Sequence, residues 1–265
     1  PAFTFSYLGF VNGDTVNSLT TPPVGATTAD ATSLVGIYPI TISGATSSNY
    51  TIGYTAGSTL SITPANLAIK ADDKTKIYGD ANPAFTFSYL GFVNGDTVNS
   101  LTTPPVGSTT ADATSPVGIY PITISGATSS NYTIGYTAGA TLSITPLNLA
   151  IAANDQTKIY GEANPVLTLS YTGFVNGDTQ ADLLTPAIAS TTADATSPVG
   201  VYPITISGAT SNNYTIGYTA GATLTVTPAT LTVTANNQTR DFGEANPILT
   251  AGYTGFVNGD TVASI

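Results

Sequence analysis

The heptapeptide Gly-Phe-Val-Asn-Gly-Asp-Thr decides how this chain is organised. It occurs four times, each copy 82 residues after the one before, at Gly9–Thr15, Gly91–Thr97, Gly173–Thr179 and Gly255–Thr261. No insertion or deletion disturbs this register. Because a solenoid repeat is usually ~20–50 residues long, the longer period is typical of a small domain that recurs in tandem.

Thr-Pro steps mark the boundaries between repeats, at Pro64, Pro146 and Pro228. Proline lacks an N–H and restricts the residue before it, so strands tend to end there. This phasing predicts four segments, namely a partial repeat lacking its first strand (1–64), two complete repeats (65–146 and 147–228) and a partial repeat with its first strands only (229–265). We expect a window on a longer array, with the exchange of strands between chains as the alternative.

Composition excludes several classes of function. Charged residues make up 8% of the chain and the net charge is −10, which disfavours nucleic acids and anionic membrane surfaces. The chain contains no His and no Cys, so Ser–His and Cys–His nucleophile pairs are absent and we do not expect an enzyme. No apolar run approaches the ~18 residues of a membrane span, so we expect no membrane insertion in this segment.

Period-2 alternation predicts about five short strands in each repeat. In the repeat 65–146 these lie at 67–71, 85–89, 120–125, 132–136 and 142–144, and the last two read as a hairpin. The link into the next repeat is short and contains Pro146, so it restricts the motion of neighbouring domains. The sequence therefore predicts a mostly β tandem array that forms a semi-rigid rod.

The heptapeptide itself is expected to act as a turn within each repeat. Asn94-Gly95 is a turn dipeptide, and Asp96 is placed to cap one short helical turn that runs to Leu101. Phe92 and Val93 would anchor the turn to the core. No other helix is expected in the repeat.

The repeated acids are also the candidates for a metal site. Asp14, Asp96, Asp178 and Asp260 are the calcium candidates, because Ca²⁺ prefers six to eight oxygen ligands. No EF-hand spacing surrounds them. We therefore favour capping and turn formation over calcium binding, and expect no cofactor.

Some residues also suggest a lysine crosslink or stacking on a glycan. Lys76 and Lys158 share one register and could form a Lys–Asn or Lys–Asp crosslink, but Arg240 fills that register in the next repeat and cannot. Tyr120, Tyr132 and Tyr136 could stack on a glycan, although alternating Tyr and Ile on a strand is more often core or sheet surface.

The order of motifs resembles a known family. Tyr78-Gly79-Asp80 and Tyr160-Gly161-Glu162 precede the heptapeptide, and Val-Gly-Ile-Tyr-Pro-Ile-Thr-Ile-Ser-Gly-Ala and Asn-Tyr-Thr-Ile-Gly-Tyr follow it. Over the whole chain this pattern is similar to the MBG domain of the YGX type, with a departure at Asp241-Phe242-Gly243-Glu244. The resemblance implies small β-grasp-like or immunoglobulin-like domains of large bacterial surface proteins and adhesins, and it brings no catalytic residues.

These observations predict a structural role. We expect an extracellular, cell-surface segment that serves as the stalk, or as a fibre-forming filament region, of a large bacterial surface or secreted adhesin-like protein. Its partners would be the neighbouring repeats and, in a fibre, identical chains. The alternative is a module whose repeated weak sites bind a glycan or calcium, since an array multiplies weak affinity.

Overall fold

Strands form where apolar and polar residues alternate, and they dominate the fold. The computed structural model describes residues 2–265. In chain order the strands are β1 (Val24–Thr27), β2 (Gly36–Ser43), β3 (Thr59–Ile62), β4 (Ala65–Ala71), β5 (Lys74–Ile77), β6 (Phe87–Leu90), β7 (Val106–Ser108), β8 (Gly118–Pro121), β9 (Thr123–Ser125), β10 (Tyr132–Thr137), β11 (Thr141–Thr145), β12 (Leu147–Ala153), β13 (Gln156–Ile159), β14 (Leu169–Thr172), β15 (Ile188–Thr191), β16 (Gly200–Ser207), β17 (Tyr214–Thr219), β18 (Thr223–Thr227), β19 (Thr232–Ala235) and β20 (Ala251–Thr254).

The first strand of a repeat takes part in two sheets. In the repeat 147–228, Asn154 and Asp155 interrupt the strand and divide it into β12 and β13. β12 lies between β14 and β17, whereas β13 is the edge of the sheet β13-β18-β16-β15. β12 pairs in parallel with β17, and β13 pairs in parallel with β18. The repeat is thus built from two small sheets that share one interrupted strand.

The predicted hairpin between the last two strands is wrong. β10 pairs in parallel with β4, whereas β11 lies in the sheet β5-β11-β8. Alternation shows which face of a strand is buried but does not name the strand beside it. The turn at Ala138-Gly139 therefore carries the chain from one sheet to the other.

One strand of each repeat was not predicted. β7 pairs with β9, and β15 pairs with β16. Gly107 and Ala189 occupy inward positions of these strands. Because glycine has no side chain and alanine only a methyl group, the large apolar residue expected at every second position is missing. A strand without that pattern gives the sequence little signal.

Apolar side chains of the first strand form the centre of each core. Leu67 and Ile69 are fully buried and pack with Leu101 and Tyr132. Leu149 and Ile151 are buried to the same degree in the next repeat. Each such side chain contributes roughly 1.5–3 kcal/mol of burial free energy, so the first strand is a major source of apolar burial in its repeat.

The chain forms two compact units. The first comprises residues up to Lys74, Pro83–Thr110 and Tyr120–Leu142, and it contains the sheets β1-β2-β3, β10-β4-β6 and β7-β9. The second comprises Thr75–Asn82, Ala111–Ile119 and Ser143–Ile265, and it contains the sheets β14-β12-β17 and β13-β18-β16-β15 and the pair β19-β20.

Each heptapeptide is followed by one turn of 3₁₀ helix, at Val16–Ser18, Val98–Ser100, Gln180–Asp182 and Val262–Ser264. None of the helices within residues 2–265 has the length and hydrophobicity needed to cross a bilayer.

The prediction that Asp96 caps this helix is wrong. Thr97 is the N-cap, and its Oγ1 accepts a hydrogen bond from Asn99 N at 3.3 Å. Ser100 Oγ in turn accepts from Thr97 N at 3.2 Å, which completes a capping box. The cap is therefore one residue later than the sequence suggested, and the Asp96 carboxylate is available for another contact.

The capping box predicts the effect of a substitution. We expect Thr179→Ala in the full chain to lower the stability of its repeat by about 0.5–2 kcal/mol, because the N-terminal N–H groups lose their acceptor. Asp182→Ser is the matched control, since Ser18 and Ser100 already fill this position in other repeats. Thermal unfolding by calorimetry measures both variants. Equal melting profiles for Thr179→Ala and the parent chain would contradict the assigned cap.

Candidate functional site

The heptapeptide contains a tight turn whose two central residues have positive backbone φ. Asn176 and Gly177 have φ of 57° and 83°, as a type I′ turn requires. Asp178 N donates to Val175 O at 2.9 Å and closes the turn. Asparagine and glycine adopt this conformation more readily than other residues, so the dipeptide fixes the direction in which its neighbours point.

An aromatic cluster holds this turn against the domain. Phe174 meets the ring of Tyr214 edge to face at 5.4 Å and stacks on Tyr171 at 5.6 Å. In the preceding repeat Phe92 makes the same edge contact with Tyr132. The phenylalanine therefore anchors the heptapeptide to its own repeat, as the sequence predicted. Val93, which was predicted to share this role, is 49% exposed.

The aspartate of the heptapeptide joins two repeats. Asp178 Oδ2 accepts hydrogen bonds from Tyr214 Oη at 2.7 Å and from Tyr78 Oη at 2.9 Å. Tyr214 belongs to the same repeat, but Tyr78 belongs to the repeat before it. The two tyrosine rings also meet edge to face at 5.5 Å. One carboxylate thus collects a phenol from each side of the boundary.

Gly79, the residue after Tyr78, packs directly against the next repeat. A Cβ on Gly79 would lie 2.6 Å from Val175 Cγ2, and the residue has a φ of 91°. Gly161 stands in the same relation to Val257, at 2.7 Å. Such a distance is too short for any side chain, so the Tyr-Gly motif of one repeat docks directly on the heptapeptide of the next.

The asparagine of the heptapeptide adds a hydrogen bond to the preceding repeat. Asn94 Nδ2 donates to Ala31 O at 3.1 Å, and Asn176 Nδ2 donates to Ala113 O at 3.3 Å. A second amide, Asn213, accepts from Val117 N through Oδ1 at 3.0 Å. The loop Ala111–Val117 therefore receives contacts from two places on the following repeat.

An internal network shapes that loop. Asp112 Oδ1 accepts from Thr114 Oγ1 and Thr114 N, each at 2.9 Å, and from Ser115 Oγ at 3.1 Å. These bonds, first of all the one from the Thr114 hydroxyl, lower the pKa of Asp112. The carboxylate of Asp112 is exposed, and its hydrogen bonds within the loop fix the loop's conformation.

A buried lysine ties the same loop to the Tyr-Gly turn. Lys76 is 7% exposed, and its Nζ donates to Asp80 O at 2.9 Å and to the backbone carbonyl of Asp112. Lys158 makes the equivalent bonds to Glu162 and Asp194. The sequence suggested only a crosslink for these lysines and did not predict this role, although their shared register was the available signal.

We refer to the contacts of Tyr78, Gly79 and the loop Ala111–Val117 with Val175, Asn176, Asp178 and Asn213 as the joint. It combines two motifs that are separate in the sequence, Tyr-Gly and the heptapeptide. The Tyr-Gly motif supplies a phenol and a site without a side chain. The heptapeptide supplies the carboxylate, the amide and the valine that fit them.

The four calcium candidates occupy equivalent turns, each in its own repeat. Tyr50 Oη donates to Asp14 at 2.6 Å, and Tyr132 Oη donates to Asp96 at 2.7 Å. Asp260 lines a small cleft beside Tyr160. Within the described residues 2–265, no group of three or more His, Cys, Asp and Glu is placed to hold a metal ion. Calcium binding at these aspartates stays a prediction.

Burial raises the pKa of three tyrosines that donate hydrogen bonds to heptapeptide aspartates. Burial, together with the bond to Asp178, raises the pKa of Tyr214 to about 12. Burial also raises the pKa of Tyr78 and Tyr132. At neutral pH the phenols are therefore uncharged donors, which the carboxylate of the heptapeptide needs as partners.

Small β domains joined by repeated motif-to-motif contacts define a tandem array of repeat modules. Comparison with protein families places them, because the model of the MBG domain (YGX type) matches residues 1–61, 67–143, 149–225 and 231–265. The chain belongs to this family, whose repeats are typical of bacterial surface proteins. No curated protein matched the chain, and neither did any solved structure.

The close approach at Gly79 predicts a steric effect. We expect Gly79→Ala to destabilise the joint by about 2–4 kcal/mol, which combines the left-handed backbone with overpacking against Val175. Gly243→Ala is the matched control, because Gly243 has a φ of 92° but no atom within 4 Å of its Cβ position. Urea unfolding of the full chain compares the two.

The control should lose only the backbone part, roughly 1–2 kcal/mol. Adding Val175→Ala should restore part of the loss in Gly79→Ala. Equal losses in Gly79→Ala and Gly243→Ala would show that the contact with Val175 carries no energy.

The joint also predicts a loss of stability at high pH. The pKa of Tyr214 is raised from 10.0 to about 12 in the folded chain, so its contribution is complete below pH 10 and disappears as the pH rises through 12. Tyr214→Phe should be less stable than the parent chain at pH 8 and lose less on going to pH 12. Urea midpoints across this range measure the slope, and identical slopes would contradict the assignment.

Proposed function

We propose that this chain is a stalk segment of a large bacterial surface or secreted protein that resists pulling forces, with a mechanical rather than a catalytic role. The observation that carries the proposal is the parallel pairing of the first and last strands in the complete repeat, β13 with β18, from Gln156↔Leu224 to Ile159↔Thr227. Family membership supports the cell-surface setting.

Parallel pairing determines how a pulling force acts. When the ends of the repeat are pulled apart, β13 is drawn towards its N-terminal end and β18 towards its C-terminal end. All the hydrogen bonds between the two strands are then loaded together in shear. In an antiparallel pair pulled from one end, the bonds would instead break one after another. The topology therefore resists extension along the chain.

The connection between repeats passes this force on without slack. β11 ends at Thr145 and β12 begins at Leu147, so only Pro146 separates them. A connection of one proline has almost no free length. The joint adds contacts beside it, with Gly79 against Val175 and Tyr78 on Asp178. Successive repeats are thus coupled covalently and through packing.

The mechanical role predicts a stepwise force trace. With the full chain tethered by its ends, each complete repeat should unfold as one event and release about 290 Å of contour length, from 82 residues at ~3.5 Å each. Single-molecule force spectroscopy measures the steps. Featureless extension at low force would contradict the proposal.

The chain offers a geometric control, because it contains no cysteine and therefore accepts unique thiol attachment points. Ile188 and Ser207 lie opposite each other on an antiparallel pair. Pulling through Ile188→Cys and Ser207→Cys should unzip that pair at a clearly lower force than pulling through the ends. Repeating the end-to-end measurement with calcium tests the metal-binding alternative, which a large increase in force would favour.

A further inference from the structure

Charge is distributed unevenly within each repeat. The runs 31–69, 113–154 and 195–239 contain no Asp, Glu, Lys or Arg, although the chain has a net charge of −10. In the repeat 147–228, β15, β16 and β18 carry no charged residue. The charges gather instead around the joint and its loop. The strands β15, β16 and β18 themselves therefore add nothing to the repulsion that keeps acidic chains apart.

An unprotected strand edge lies within this uncharged region. β15 is the last strand of the sheet β13-β18-β16-β15, and its only strand neighbour in the described chain is β16. It contains no Lys and no Pro, which are the residues that commonly prevent edge strands from pairing with another chain. β1 and β7 occupy the same place in the earlier repeats, as edges beside β2 and β9. The chain thus carries three such edges.

The outward face beside this edge is apolar and hydroxylated. Ile188 is 61% exposed and Val201 is 65% exposed. Between them Ser190 Oγ and Thr205 Oγ1 share a hydrogen bond of 2.9 Å. Val106 and Ile119 are exposed at the equivalent positions, at 60% and 74%. Covering this face removes methyl groups from water without desolvating a charge, which makes the contact favourable.

The edge is complementary to itself. Ser190 O accepts from Thr205 Oγ1 at 3.3 Å, so it faces the neighbouring strand. Because backbone groups of successive residues point to opposite edges, Ala189 presents its N–H and C=O to the open side. A second copy can therefore pair about a two-fold axis at Ala189, with Ile188 of each copy opposite Ser190 of the other.

We propose that these edges pair antiparallel with the same edge of a second copy of this chain, so that stalks associate laterally. The inference deepens the stalk proposal and rests on the array it assumes. A single edge of three or four residues is short and holds weakly. Three edges on one chain raise the overall affinity through effective concentration. Salt strengthens the association, because it screens the negative charges that lie away from the edge.

Placing one lysine on each edge strand tests the proposal, because lysine prevents an edge strand from pairing with another chain. The variant Ala26→Lys, Ser108→Lys, Ser190→Lys changes one exposed outward position on β1, β7 and β15. The control Asn17→Lys, Asn99→Lys, Gln180→Lys adds the same charge on the exposed 3₁₀ turns. Sedimentation equilibrium of the full chain measures self-association at low and high salt.

The parent chain should associate, and more tightly at high salt. The edge variant should associate with a dissociation constant that is higher by about tenfold or more. The control should stay within about twofold of the parent. A matching set with Glu at the three edge positions should behave like the Lys set, and it provides the comparison if the Lys set unfolds.

Three results would overturn the inference. They are a parent chain that stays monomeric at millimolar concentration, an edge variant that associates like the parent, and a control that loses association equally. The force measurement uses single chains, so a mechanically resistant but monomeric chain would refute the edge pairing alone and leave the stalk proposal intact.

Discussion

The close approach of Gly79 to Val175 is the constraint on which the relation between repeats depends. With a Cβ position 2.6 Å from a valine methyl, the backbone of Gly79 packs directly against the side chain of Val175. That proximity brings Tyr78 within hydrogen-bond distance of Asp178. It also explains why the two motifs recur together at one fixed spacing, since an insertion in either would separate the surfaces that must meet.

In the stalk that we propose, the joint and the interrupted first strand act at two levels. Within a repeat, β12 and β13 give both sheets a parallel partner and contribute the buried Leu149 and Ile151. Between repeats, the same region receives the heptapeptide of the following domain through Gly161 and Val257. In the same repeat the strands β15, β16 and β18 carry no charged residue, and the contact that we propose between chains lies at the edge of their sheet.

Much of the local structure could be predicted from the residues. The strands around Leu67 and Tyr132, the turn at Asn94-Gly95 and the anchoring by Phe92 all follow from alternation, turn chemistry and aromatic burial. The helix cap was misplaced by one residue, because Asp and Thr are both good N-caps and only the backbone geometry distinguishes them. The edge strands such as β15 were missed, since small inward residues leave no alternation to detect.

The sequence by itself determined the repeat, its exact period and its mostly β character, because these depend on local preferences that the residues express alone. It also determined the family. Tertiary structure alone decided that β10 and β11 belong to different sheets and that Tyr78 meets the Asp178 of the next repeat. Both facts depend on long-range pairing across 67 to 100 positions of chain. Hydrophobic pattern says that a face must be buried, but only the folded backbone selects the partner that buries it.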